Sequence, residues 1–131
     1  MTLKWEFSAY KNPIARARGL GAAHHGTHHW ISQRLTAVLN VPLTIWAIWS
    51  VVGLAQADYA TFQDWIATLP NPLLLGLFVM STFYHAVLGL QVVIEDYVHC
   101  ELYKLLSLFA VRIGLFGLAM TALFCILKLA L

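Results

Sequence analysis

The sequence predicts an all-α membrane protein with three transmembrane helices. Three observations carry that reading: the composition, the spacing of the charges, and the length of the apolar runs between them. The chain has 131 residues, of which 60% are hydrophobic and only 11% charged, with a mean hydropathy of +0.73. A soluble domain carries roughly 25% charged residues and about 45–50% apolar ones. A core cannot hide such a deficit, because a short chain has too much surface to cover. The second and third observations turn composition into architecture. No Asp, Glu, Lys or Arg occurs in the 23 residues between Arg34 and Asp58, or in the 30 between Asp64 and Glu95. From Leu105 to Leu127 there are 23 more, with Arg112 as the single charge. About 20 apolar residues at ~1.5 Å rise cross a ~30 Å hydrocarbon layer. The spans are therefore placed near 35–56, 72–95 and 104–129, and open strands are excluded because lipid cannot satisfy a sheet edge.

Taken in order, residues 1–34 are a polar segment containing Gly and His, and residues 35–131 form the anchor domain. No short apolar block with a small-residue cleavage pattern opens the chain, so the first span is expected to be permanent and not a signal peptide. Within it, Pro42 beside Asn40 predicts a kink. Pro70 and Pro72 sit at the start of the second span, where proline suits a helix. Trp30, Trp46, Trp49, Trp65, Tyr59 and Tyr103 gather toward the expected interfaces, as aromatic belts do.

Orientation follows from Lys and Arg. Lys4, Lys11, Arg16, Arg18 and Arg34 precede the first span, the first loop holds only Asp58 and Asp64, and Lys104 and Arg112 follow the second span. The positive-inside rule then puts the N-terminus and the second loop in the cytoplasm and the C-terminus in the periplasm. Lys128 at the far end is a contrary charge that can snorkel.

Several function classes are excluded. Cys100 and Cys125 cannot supply the four thiolates of an ordinary iron–sulfur cluster, and they do not make a disulfide framework. Neither a dinucleotide-binding glycine fingerprint nor a P-loop is present. A net charge of +2, with pI near 8.7 and no basic run, speaks against nucleic acid. Any redox chemistry must be shared with other chains.

Three groups of residues stand out. His85 lies eleven residues before Asp96 inside a charge-free span, which puts it about 16 Å deep. An ionisable group there marks a functional site by default. Neutral imidazole suits haem iron, and Gly89 one turn later leaves room for a flat ring; a hydrogen bond to a neighbouring helix fits the position equally well. The other histidines, 24, 25, 28, 29 and 99, lie in the flanking segments. A six-coordinate haem on His85 would therefore take its second ligand from another chain. Next, Asp96-Tyr97 ends a helix face that runs from His85 through Leu88 and Val92. A phenol and a carboxylate at that edge suit a hydrophobic carbonyl substrate that gains protons on reduction, although interfacial tyrosines and acidic helix ends are also common. Finally, the pairs His24/His28 and His25/His29 have metal-ligand spacing, but Gly26 between them argues against a stable helix. Arg34 suits a carboxylate at the membrane edge, a propionate included, or plain anchoring by charge.

The run Tyr84-His85-Ala86-x-x-Gly89-x-Gln91-x-x-x-x-Asp96-Tyr97-Val98 resembles the signature of the hydrophobic membrane anchor subunits of succinate dehydrogenase. The run Gly26-Thr27-His28-His29-Trp30 to Gln33-Arg34-x-Thr36-Ala37 is similar to their N-terminal motif, and the likeness covers roughly residues 14 to 130. It implies that His85 is an axial ligand of haem b, in half of a heterodimeric haem-binding bundle shared with a cytochrome b556-type membrane subunit. It implies further that Asp96 and Tyr97 border a ubiquinone pocket, with ubiquinone as substrate, and that His28 and Arg34 approach the haem propionates. An iron–sulfur subunit and a flavoprotein subunit would dock on the cytoplasmic face, leaving no succinate-oxidising site in this chain. A bacterial inner membrane is expected ahead of a mitochondrial one. The pattern gives no role to Glu95 or to the four-histidine cluster. An anchor of a quinol:fumarate reductase and a cofactor-free structural anchor are the alternatives.

Overall fold

A computed structural model describes residues 26–131. Among them are four helices and no strand: α1 (Gly26–Gly53), α2 (Tyr59–Ala67), α3 (Asn71–Tyr97) and α4 (Glu101–Ala130). Three are long and apolar enough to cross a membrane, with mean hydropathies of 1.8, 1.9 and 2.1. Ser32–Leu131 forms one compact unit, and Gly26–Ile31 belongs to a separate one.

Among the described residues α1 runs from Gly26, ahead of the expected membrane boundary, and His28 and His29 are helical. His24 and His25 lie outside the described residues. The helix runs unbroken through Pro42, which lacks the N–H that would pair with the Val38 carbonyl.

The connection between the first two spans holds a helix, α2, that the charge pattern does not announce. Asp58 caps it, accepting the Thr61 N–H at 2.9 Å. Hydrogen bonds from the side chain and then the backbone of Thr61 hold the Asp58 carboxyl below its ordinary range. Ile66, 1% exposed, is the most enclosed large side chain; α2 packs through it against α3 and α4. Trp65 stacks on Trp46 of α1 at 6.1 Å, and the Asn71 side chain donates to the Trp65 carbonyl at 2.8 Å.

Among the described residues the buried apolar set is otherwise Leu43, Leu88 and Ala119. Long hydrophobic helices that bury so little of each other need lipid or partner helices around them. In that medium apolar burial between helices gains little, so close packing of small residues and interhelical hydrogen bonds carry association. Interhelical hydrogen bonds join α3 to both neighbours, to α1 through His85 and to α4 through Gln91.

Candidate functional site

His85 sits in the middle of α3, about 20 Å from either end at ~1.5 Å per residue. It is half-buried and points at α1. Its Nδ1 lies 3.0 Å from Thr36 Oγ1, and its Nε2 lies 3.5 Å from Gln33 Nε2. Gln33 and Thr36 are three residues apart and so share a face of α1. The same hydroxyl lies 2.8 Å from the Ser32 carbonyl oxygen. Beside this contact is a cleft of about 400 Å³ lined by Ala37, Asn40, Val41, Thr44, Ile45 and His85. A Cβ on Gly89 would stand 3.5 Å from Gln33 Nε2, so the room read into this glycine opens toward α1.

Several polar atoms on these helices are enclosed yet have no hydrogen-bond partner: Gln33 Oε1, Asn40 Oδ1 and Ser81 Oγ. Buried polar atoms are nearly always paired.

No group of three or more His, Cys, Asp or Glu side chains converges among the described residues. A bare metal ion would find too few donors. The donor set instead fits a metal that brings most of its own coordination sphere, such as a porphyrin iron, and takes one imidazole. On that chemistry His85 and its surroundings fit haem.

Asp96 and Tyr97 form the last turn of α3 and are both exposed, Tyr97 at 77%. The expected face from His85 to Asp96 exists, but its character changes along the way: Leu88 is buried and Val92 exposed. His85 and the Asp96-Tyr97 pair are thus two sites on one helix, eleven and twelve residues apart. His28 lies in the first turn of α1 and Arg34 two turns further on, both exposed.

Sequence reasoning missed a second polar chain. Arg112 of α4 donates to Gln91 Oε1 at 2.8 Å, and Gln91 Nε2 donates to Glu95 Oε1 at 2.8 Å. Lys104 adds a bond to the Glu95 carbonyl at 3.0 Å. Glu95, which the motif left without a role, is thus joined to Arg112 through an amide. The signal was present in the intramembrane charge at 112, which needs an acid within reach.

The family model for the succinate dehydrogenase/fumarate reductase transmembrane subunit matches residues 8–127. A succinate dehydrogenase hydrophobic membrane anchor subunit of Rickettsia bellii is 34% identical over 110 residues, covering 83% of this chain and 86% of the relative. That of Rickettsia felis is 34% identical, covering 85% and 91%. That of Paracoccus denitrificans is 32% identical, covering 80% and 81%. No solved structure matches. With most of its length matched by that model and by these relatives, the chain belongs to the family of succinate dehydrogenase and fumarate reductase transmembrane subunits.

Proposed function

We propose that this chain is the hydrophobic membrane anchor of a succinate dehydrogenase, holding one side of haem b and part of a ubiquinone site in a bacterial inner membrane. The observation that carries the reading is His85 at mid-helix, with Nδ1 against Thr36 and Nε2 in contact only with a distant amide. The names of the bacterial relatives support the complex and the membrane. In this reading the partners are a cytochrome b556-type subunit that gives the second axial ligand, an iron–sulfur subunit and a flavoprotein subunit. In this reading residues 1–34 and the α3–α4 connection face the cytoplasm, where the two soluble subunits dock, and the C-terminus faces the periplasm; the distribution of Lys and Arg supports it. His28 and Arg34 then face the propionates.

Haem b, when bound, supplies a one-electron carrier within the membrane. His85 would hold the iron from this chain, at mid-depth in α3. Oxidation of succinate in the partner subunits releases two electrons and two protons, and reduction of the quinone to quinol consumes two of each. At the cytoplasmic end of α3 the Tyr97 phenol donates a hydrogen bond to a quinone oxygen as negative charge builds on it. Asp96 next to it exchanges protons with water and passes them inward.

The test is made on the assembled complex in membranes. His85→Ala is expected to abolish or alter the b-type reduced-minus-oxidised spectrum; an unchanged spectrum overturns the ligand assignment. Tyr97→Phe is expected to slow quinone reduction about 100-fold while succinate oxidation by an artificial acceptor persists. Equal activity with both acceptors removes Tyr97 from the quinone site.

A further inference from the structure

We propose that Thr36 is the positioning residue for His85, fixing its proton on Nδ1 so that Nε2 presents a lone pair. The proposal rests on the reading of His85 as a haem ligand and adds what sets that ligand's tautomer and aim.

Proton accounting carries it. A threonine hydroxyl has one proton and two lone pairs. Thr36 Oγ1 is 2.8 Å from the Ser32 carbonyl and 3.1 Å from that of Gln33. Neither carbonyl can donate, so the hydroxyl proton goes to its own helix, a common habit of Thr in membrane helices. With the hydroxyl proton on its own helix, Oγ1 offers a lone pair to the imidazole at 3.0 Å, and Nδ1 supplies the proton. At the other ring nitrogen the Gln33 amide stands 3.5 Å from Nε2, too long a contact to fix the tautomer. The Thr36 contact therefore selects it, leaving the Nε2 lone pair to bind a metal.

The two contacts differ in strength. At 3.0 Å the Thr36 bond is short, and Thr36 is buried at 9% exposure, so no water competes for it. At 3.5 Å the Gln33 contact is at the limit of a hydrogen bond, and it can give way to a metal. Thr36 therefore holds the ring from behind while the front stays available. A metal-bound histidine nearly always donates its other N–H to such a partner, which fixes the ring's orientation and raises its basicity.

The experiment reads the ring nitrogens directly. The full chain, labelled with ¹⁵N in its histidine rings, is studied by NMR in detergent micelles, with His85→Ala identifying the resonances of this ring. Wild type and Thr36→Ser are expected to show a protonated Nδ1 and an unprotonated Nε2, and Thr36→Val to lose that preference. In the assembled complex Thr36→Val is expected to weaken haem retention about 10- to 100-fold and to shift the haem midpoint potential, with Thr36→Ser close to wild type. A protonated Nε2 in wild type overturns the proposal, and this measurement decides alone should the valine variant fail to fold. Wild-type tautomer and haem retention in Thr36→Val overturn it as well. An unchanged b-type spectrum in His85→Ala would instead remove the ligand reading, and the ring pattern would still report whether Thr36 holds the imidazole.

Discussion

α3 meets its two neighbours differently. Toward α4 it packs along the helix, with Gly76 beside Leu123, and the chain Arg112–Gln91–Glu95 joins the two helices. Toward α1 the backbones stand farther apart, and the polar link is the contact of His85 with Thr36 and Gln33. Nearly all the enclosed orphan atoms belong to this second region: Gln33 Oε1 and Asn40 Oδ1 on α1, and Ser81 Oγ one turn before His85. Polar satisfaction separates a seam that closes the chain on itself from one that awaits other groups. Two polar clusters of similar size in one helix trio thus have opposite meanings.

Breaking the closed seam has the largest expected effect. Gln91→Leu removes the amide between Arg112 and Glu95, and leaves a guanidinium inside the membrane without its acceptor. A hydrogen bond to a charged group is worth about 1.5–3 kcal/mol, so a loss of about 2 kcal/mol is expected in mixed-micelle unfolding. Adding Arg112→Leu should restore most of it, since removing both partners costs less than stranding one. A stable Gln91→Leu single variant would mean that this chain of bonds does not hold the seam.

The two seams also differ in how far the sequence discloses them. Charge-free runs located all three long apolar helices, because hydrocarbon excludes charge from each residue separately and the signal is local. α2 escaped for the opposite reason: nine residues of mixed polarity look like a loop, and the Asp58 cap was the only local sign. His85 was legible as an anomaly, and Asp96-Tyr97 as an edge. Thr36 and Gln33 stood in a quoted motif without a role. Their partner is 49 and 52 residues away, and one sequence carries no sign of which helices will face each other. Glu95 and Arg112 were each visible as charges, but the amide joining them was not.

Orphan atoms on the open seam predict a smaller effect of opposite sign. Ser81→Ala deletes a buried hydroxyl that has no partner, so the isolated chain should keep its stability or gain up to about 1 kcal/mol. The same change should weaken association with the companion membrane subunit, if that subunit supplies the missing partner. Unfolding in mixed micelles and co-purification of the complex measure the two halves separately. A Ser81→Ala chain that is clearly less stable alone would show the hydroxyl already satisfied, and the contrast between the seams would shrink.

The smallest stability effect makes the sharpest comparison, because each seam carries one glycine at its contact. A Cβ on Gly76 would lie 3.7 Å from Leu123 Cδ2, and one on Gly89 would lie 3.5 Å from Gln33 Nε2. Both distances are ordinary van der Waals contacts, and alanine is the better helix former by about 1 kcal/mol. Gly76→Ala and Gly89→Ala should therefore both leave the isolated chain within about 1 kcal/mol of wild type, which mixed-micelle unfolding can check. Only the assembled complex should tell them apart. Gly76 lies about two and a half turns from His85, on the side of α3 that meets Leu123 of α4, so its variant should keep full haem b content. Gly89 stands one turn from His85 on the open seam, where a methyl group occupies space that a flat ring bound at Nε2 would need, so its variant should lose haem. Equal haem content in the two variants would show that Gly89 provides no clearance, and that the asymmetry of α3 lies in its hydrogen bonds and not in its shape.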